Sequence, residues 1–304
     1  MRMRIAALAL CASVVLLAAC SGASNARNHA GASPSPSPAL QTPGPTPSPV
    51  ATPAPAAAHV FVIVMENRSY DQVIADPYIA RLASQYAIAT NYHGVSHPSL
   101  PNYLALTSGS TWGIADDGFH ALPDGGLGAQ LTAAGIDWRA YMEGMSNGCF
   151  HSPYPYALKH NPFAYYGDTC PANVVPFTRF ASDMATQVPR FVWITPGLCH
   201  DGHDCGDSVA DAWLSGTVST ITSSPAFKQN GVLFITWDEG EDSANSVLTL
   251  VIKPAPVFHR SARDYNHYSL LATIEDELGV PRLGAAADAS AMTDLTASWP
   301  RLSL

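Results

Sequence analysis

The run His59-Val60-Phe61-Val62-Ile63-Val64-Met65 constrains this chain more than any other stretch. It is apolar and largely β-branched, with no polar alternation. A strand that faces water on one side alternates; a strand covered on both faces does not. The run therefore belongs inside a parallel sheet with helices on each side. Phe191–Ile194, Val232–Trp237 and Val247–Ile252 read the same way, and Ile136–Met142 is a shorter candidate. Helical patterns fall between them, at Tyr78–Gln85, Pro101–Thr107, Leu127–Ala134, Phe177–Thr186, Ser208–Ile221 and Tyr268–Leu278. This alternation predicts an α/β fold, a three-layer α/β/α sandwich with a mostly parallel central sheet. Residues 144–172, rich in Tyr, Pro, His and Gly, read as a disulfide-clamped surface excursion.

The chain ahead of the first strand has a different composition. Arg2 and Arg4 precede the apolar run Ile5–Ala19, which ends Leu16-Leu17-Ala18-Ala19-Cys20. That pattern, too short and wrongly flanked for a spanning helix, looks like a lipoprotein signal peptide over residues 1–20, with Cys20 as the lipidated residue. Residues 21–58 are almost entirely Ser, Pro, Ala, Thr and Gly, as in Ser33-Pro34-Ser35-Pro36, and cannot bury a core. They read as a disordered tether, leaving one catalytic domain over 59–304. Such an arrangement predicts an exported protein held at a membrane surface by its lipid. The formal charge is −9 and no basic stripe is visible, which argues against nucleic acid as a partner. Cys149, Cys170, Cys199 and Cys205 form an even set, and three pairings are open to four cysteines. Cys149–Cys170 and Cys199–Cys205 are expected, because each closes a local loop.

In open α/β sheets the functional groups gather beyond the carboxyl ends of the strands. The first strand runs out into Glu66-Asn67-Arg68-Ser69, and the run ending at Trp237 continues Asp238-Glu239-Gly240. Glu66, Asn67, Asp238 and Glu239 offer oxygen ligands, a set that suits a hard divalent cation such as Mg²⁺, Ca²⁺ or Mn²⁺. Pro101 suits the first position of a helix, which puts Ser99 at the helix N-terminus. There free N–H groups attract anions, so Ser99 is a candidate nucleophile as well as a candidate cap. His203 and His267 sit at strand exits and are candidate ligands or proton donors, with His200 a weaker substitute for His203. His97 precedes Ser99 by two residues. His59, His93, His120, His151, His160 and His259 have no such context and read as structural or surface residues.

Five segments in order carry a resemblance: Met65-Glu66-Asn67-Arg68-Ser69-Tyr70-Asp71, His97-Pro98-Ser99-Leu100-Pro101-Asn102-Tyr103, Thr195-Pro196 through His203-Asp204, Phe234-Ile235-Thr236-Trp237-Asp238-Glu239-Gly240, and His267-Tyr268-Ser269-Leu270-Leu271. The chain resembles the phosphoesterase family of bacterial and fungal acid phosphatases and phospholipases C, within the alkaline phosphatase superfamily. The resemblance implies an alkaline-phosphatase-like fold and metal-assisted hydrolysis of a small phosphate ester through a phosphoserine. It further implies Ser99 as nucleophile and Asn102 as ligand to a phosphate oxygen. Glu66, Asn67, Asp238 and Glu239 would bind the metal (Mg, Ca, Mn or Zn), and His97, His203 and His267 would line the phosphate site or protonate the leaving group. The phospholipase branch often follows the second acidic motif with a histidine and an aromatic. Here Glu241-Asp242-Ser243-Ala244 stands there instead, favouring an acid-phosphatase-like monoesterase over a phospholipase C or a catalytically inactive binding domain.

Overall fold

A computed structural model describes residues 59–151, 153–256 and 258–297. The proposed signal peptide, Cys20 and the tether lie outside the described residues. The apolar runs become strands β1 (His59–Met65), β4 (Trp138–Met142), β6 (Phe191–Thr195), β7 (Gly231–Trp237) and β8 (Thr249–Ile252). Short strands β2 (Ala87–Ala89), β5 (Val174–Pro176) and β9 (His259–Ser261) complete an eight-stranded sheet in the order β5-β4-β6-β1-β7-β8-β2-β9. A separate two-residue pair joins β3 (Tyr92–His93) to β10 (Tyr265–Asn266).

β1 lies at the centre, parallel to β6 on one side and to β7 on the other. Val60 to Met65 are wholly buried, as the unbroken apolar run requires. β8 departs from the expected order: it runs antiparallel to both β7 and β2. The hairpin-like return from β7 needs only the acidic loop 238–248, whereas a parallel return needs a crossover of a dozen or more residues.

The helices form two layers. α3 (Ser99–Ser108) packs with α4 (Gly126–Ala133) and α8 (His267–Leu278). α6 (Asp207–Ser223) packs with α2 (Pro77–Gln85), α5 (Phe180–Thr186) and α7 (Pro225–Asn230). Short helices α1 (Tyr70–Val73) and α9 (Thr293–Thr296) lie near the chain ends of this domain. Every residue of α3 is buried, so this helix is core on all sides. Burying leucines such as Leu100, Leu104 and Leu106 stabilises by about 1.5–3 kcal/mol each. α3 stops at Gly109, whose φ of +68° is left-handed; a Cβ there would come within 2.2 Å of the Leu283 carbonyl oxygen, so only glycine closes the helix.

Both expected disulfides are present, Cys149–Cys170 and Cys199–Cys205. Among the described residues no helix is long and apolar enough to cross a membrane.

Candidate active site

Parallel neighbours deliver their carboxyl ends to one edge of the sheet. β1 ends at Met65, so Glu66 and Asn67 stand just beyond that edge. β7 ends in register beside it, which sets Asp238 against them: the Asp238 N–H donates to the Met65 carbonyl at 3.0 Å. The Asn67 N–H in turn donates to Asp238 Oδ1 at 3.1 Å. Asn67 holds φ at +45°, a left-handed conformation that asparagine tolerates better than most residues and that recurs at functional sites. The exit of β6 supplies Asp201, whose carbonyl accepts from the Glu66 N–H at 2.9 Å.

Ser99 is the first residue of α3, and its side chain does not cap the helix. Pro101 is therefore the third helical residue rather than the first. The first turn has no intrahelical partner for its N–H groups, so proline costs no bond there either. The Ser99 hydroxyl, 1% exposed, donates instead to Glu66 Oε2 at 3.1 Å. Glu66 Oε1 accepts from the Tyr103 hydroxyl at 2.5 Å. Nucleophile candidate and carboxylate thus meet although 33 residues separate them in sequence.

The buried acids crowd one another. Burial pushes the Asp238 carboxyl well above its ordinary range, and repulsion from Glu66 and Glu239 adds to that. Burial likewise pushes Asp201 up to about 9, with Glu66 contributing. Glu66 goes the other way: burial raises it, but the neighbouring His160 and the Tyr103 hydroxyl outweigh burial and hold it below the usual carboxylate range. Asp238 Oδ2, Asn67 Oδ1 and Asp201 Oδ2 are buried without a hydrogen-bond partner. Buried acceptors are normally satisfied, and buried carboxylates normally neutralised. Among the described residues no three His, Cys, Asp or Glu side chains converge as a preformed metal cage. The orphaned oxygens of Asn67 and Asp238 beside the buried Glu66 nevertheless fit a hard divalent cation, which would satisfy both and relieve their repulsion.

Several residues take places that the sequence reading did not give them. Asn102 is wholly buried, and its amide is committed to the loop ahead of α3. Its oxygen accepts from the Val95 and Ser96 N–H groups at 2.9 and 3.0 Å. Its NH₂ donates to the Ser96 and Pro98 carbonyls at 2.9 and 3.3 Å. This geometry leaves no donor for a phosphate oxygen, so Asn102 shapes the loop that carries His97. His267 is wholly buried; Nε2 donates to the Asp238 carbonyl at 2.5 Å and Nδ1 accepts from the Tyr92 hydroxyl at 3.0 Å. Burial lowers its pKa to about 4. A neutral imidazole with both nitrogens engaged holds the Asp238 backbone in place and is not a proton donor. Glu239 is shared with His97, whose Nδ1 lies 2.6 Å from Oε2. His203 sits at the rim with Nδ1 on Asp204 at 2.7 Å, while His200 turns away to Glu143 and stacks on Trp213.

His160 is the largest revision. It is 1% exposed, stacked on the Tyr103 ring, with Nε2 3.1 Å from Glu66 Oε2 and Nδ1 3.6 Å from Asp201 Oδ2. Beside it, Lys159 Nζ donates to Asp117 Oδ2 at 2.8 Å and lies 3.5 Å from Ser99 Oγ. The only trace of either in sequence is the polar run Lys159-His160-Asn161, which interrupts an aromatic segment.

A mostly parallel sheet flanked by helices, with acids and a serine at the carboxyl edge of its central strands, defines an alkaline-phosphatase-type α/β sandwich. A Vibrio parahaemolyticus protein of the alkaline phosphatase superfamily superposes with a TM-score of 0.57 at 12% identity, covering 81% of this chain and 71% of that one. The model of the Phosphoesterase family matches residues 74–281, and the chain belongs to that family. It is 29% identical to a phosphate-repressible acid phosphatase of Penicillium chrysogenum over 73% of this chain and 59% of that protein. It is 32% identical to a phosphatidylinositol-3-phosphatase of Mycobacterium tuberculosis, over 78% of this chain and 82% of that one. The chain spans between 55 and 59% of the length of the fungal acid phosphatases it matches.

Proposed function

We propose that this protein is a phosphoric ester hydrolase that cleaves phosphate monoesters through a phosphoserine on Ser99. One observation carries the reading: the Ser99 hydroxyl, at the start of a buried helix, donates to a carboxylate within a cluster of orphaned oxygen ligands. The acid-phosphatase names of its relatives support the same chemistry.

The hydrogen bond to Glu66 points the Ser99 proton at that carboxylate and leaves the Oγ lone pairs to face phosphorus. Oγ attacks phosphorus in line and its proton passes into the Glu66–His160 pair. The positive end of the α3 dipole, at Ser99, favours the charge on the equatorial oxygens. The imidazole of His97, half-exposed and held by Glu239, protonates the departing alcohol. Water then releases phosphate from Ser99. A divalent cation held by Glu66, Asn67 and Asp238, with the remaining Glu239 oxygen, would supply positive charge for the serine oxygen and the phosphoryl group.

Incubation with a ³²P-labelled monoester and acid quenching should trap label on Ser99. Ser99→Ala should abolish both the label and turnover, lowering the rate by at least about 1,000-fold, with an unchanged unfolding midpoint. Chelation should suppress the labelling and re-added Mg²⁺ or Mn²⁺ restore it. Residual turnover above about 10% of wild type in Ser99→Ala would remove the serine from the mechanism.

A further inference from the structure

The carboxyl edge of the sheet collects Glu66, Asp117, Asp201, Asp238 and Glu239, yet the substrate just proposed is itself an anion. Lys159 meets that problem. Its ammonium is tied on one side to Asp117 Oδ2 at 2.8 Å and reaches Ser99 Oγ at 3.5 Å on the other. Asp117 is in turn anchored to the helix that carries the nucleophile: its Oδ1 accepts from the Leu100 N–H at 3.0 Å. One carboxylate therefore fixes both the start of α3 and the cation beside it. The Lys159 and Asp117 side chains are 22% and 31% exposed, so neither is sealed off from a ligand in the site.

An ammonium has three donors. Asp117 uses one and Ser99 Oγ lies near a second, which leaves at least one for a ligand. In a near-attack arrangement phosphorus sits about 3–3.5 Å from the attacking oxygen. Its nonbridging oxygens then fall within reach of an ammonium that already touches that oxygen. A monoester carries two negative charges over three such oxygens; a diester carries one charge over two. A fixed cation attracts the first more strongly than the second.

We infer that Lys159, positioned by Asp117, clamps a nonbridging phosphoryl oxygen and selects dianionic monoesters over monoanionic diesters. The inference rests on the hydrolase reading above and names the residue that selects its substrate class. Asp117 acts through Lys159 and is a positioning residue; Lys159 touches the substrate.

The test compares p-nitrophenyl phosphate with bis(p-nitrophenyl) phosphate, which share a leaving group, on the full chain. Lys159→Met should lower kcat/KM for the monoester by about 100-fold and for the diester by less than about tenfold. Asp117→Asn should move that ratio the same way by a smaller factor, since the lysine remains but is no longer held. An equal loss on both esters, or no loss, overturns the clamp. Calorimetric titration with inorganic phosphate gives a readout that needs no turnover. Lys159→Met should weaken phosphate binding by about tenfold or more; unchanged affinity also overturns the inference. If Lys159→Met fails to fold, Lys159→Gln keeps the stem polar and replaces it in both assays. Wild-type protein that binds phosphate through Lys159 but hydrolyses neither ester would sink the hydrolase reading and leave the clamp standing.

Discussion

Glu275 shows at one residue how burial alone governs a carboxyl in this fold. It lies in the last turns of α8, wholly buried, far along the chain from the acidic strand exits. Oε1 accepts from the Leu283 N–H at 2.8 Å, while Oε2 has no partner. Burial pushes its pKa from an ordinary 4.5 to about 8, against the pull of the Leu283 N–H and Arg282. The folded state thus holds its proton more tightly than the unfolded chain. Its contribution to stability is complete below pH 4.5, and it is lost as pH rises through about 8. Glu275→Gln keeps an acceptor for Leu283 and cannot ionise. We expect the variant to be flat across that window, and more stable than wild type by up to about 5 kcal/mol at the alkaline end. Urea unfolding at a series of pH values checks this. Parallel curves for the two proteins between pH 5 and 9 would mean that Glu275 carries no such linkage.

At the scale of elements, the loop between β3 and α3 depends on Asn102. Four backbone groups of residues 95–98 satisfy themselves on its amide. Asn102→Ala would strand the Val95 and Ser96 N–H groups, at about 1–3 kcal/mol for each buried donor. We expect a stability loss of roughly 2–4 kcal/mol, with inorganic phosphate affinity falling only as far as the loop loosens. A fold-neutral variant with abolished phosphate binding would return Asn102 to the role of phosphate ligand. The same scale shows what the chain discloses in advance. Buried parallel strands were readable because Val60 to Met65 are covered on both faces, which forbids polar alternation. Ser99 at the start of a helix and acids after Met65 and Trp237 were readable because strand exits and helix starts are local events. β2 and β9, three residues each, are too short for any period to register. The direction of β8 is set by the loop it returns through, not by its own residues. His160 is indistinguishable from a surface histidine until Tyr103 stacks on it and Glu66 reaches it, 57 and 94 positions away in sequence. Asn102 and His267 misled for the converse reason. A polar side chain in a site motif is equally able to hold backbone, and only the tertiary contacts separate the two uses.

At the scale of the whole molecule, the disulfides and the amino-terminal sequence bear on the same question of compartment. Cys149–Cys170 spans 21 positions and Cys199–Cys205 spans 6. Disulfides persist in oxidising surroundings, so the two bonds fit a domain that works outside the cytoplasm. In the chain-entropy account the first stabilises more than the second, because it closes the longer loop. Both brace segments near the site: Cys149 begins the excursion that carries Lys159 and His160, and Cys205 follows Asp201 and His203. Cys20 lies outside the described residues. It ends an apolar run and precedes a Pro/Ser-rich segment. We propose that it is acylated after export. A single chain anchors weakly and two or more anchor stably, so the modification itself decides the location. Expressed in a bacterium with its own leader, the protein should partition into the detergent phase of a Triton X-114 extract. Cys20→Ser should move it to the aqueous phase with phosphatase activity per molecule unchanged. Recovery of wild type from the aqueous phase, with an intact mass showing an unmodified Cys20, would mean that the leader is an ordinary secretory signal and that the enzyme works free of the membrane.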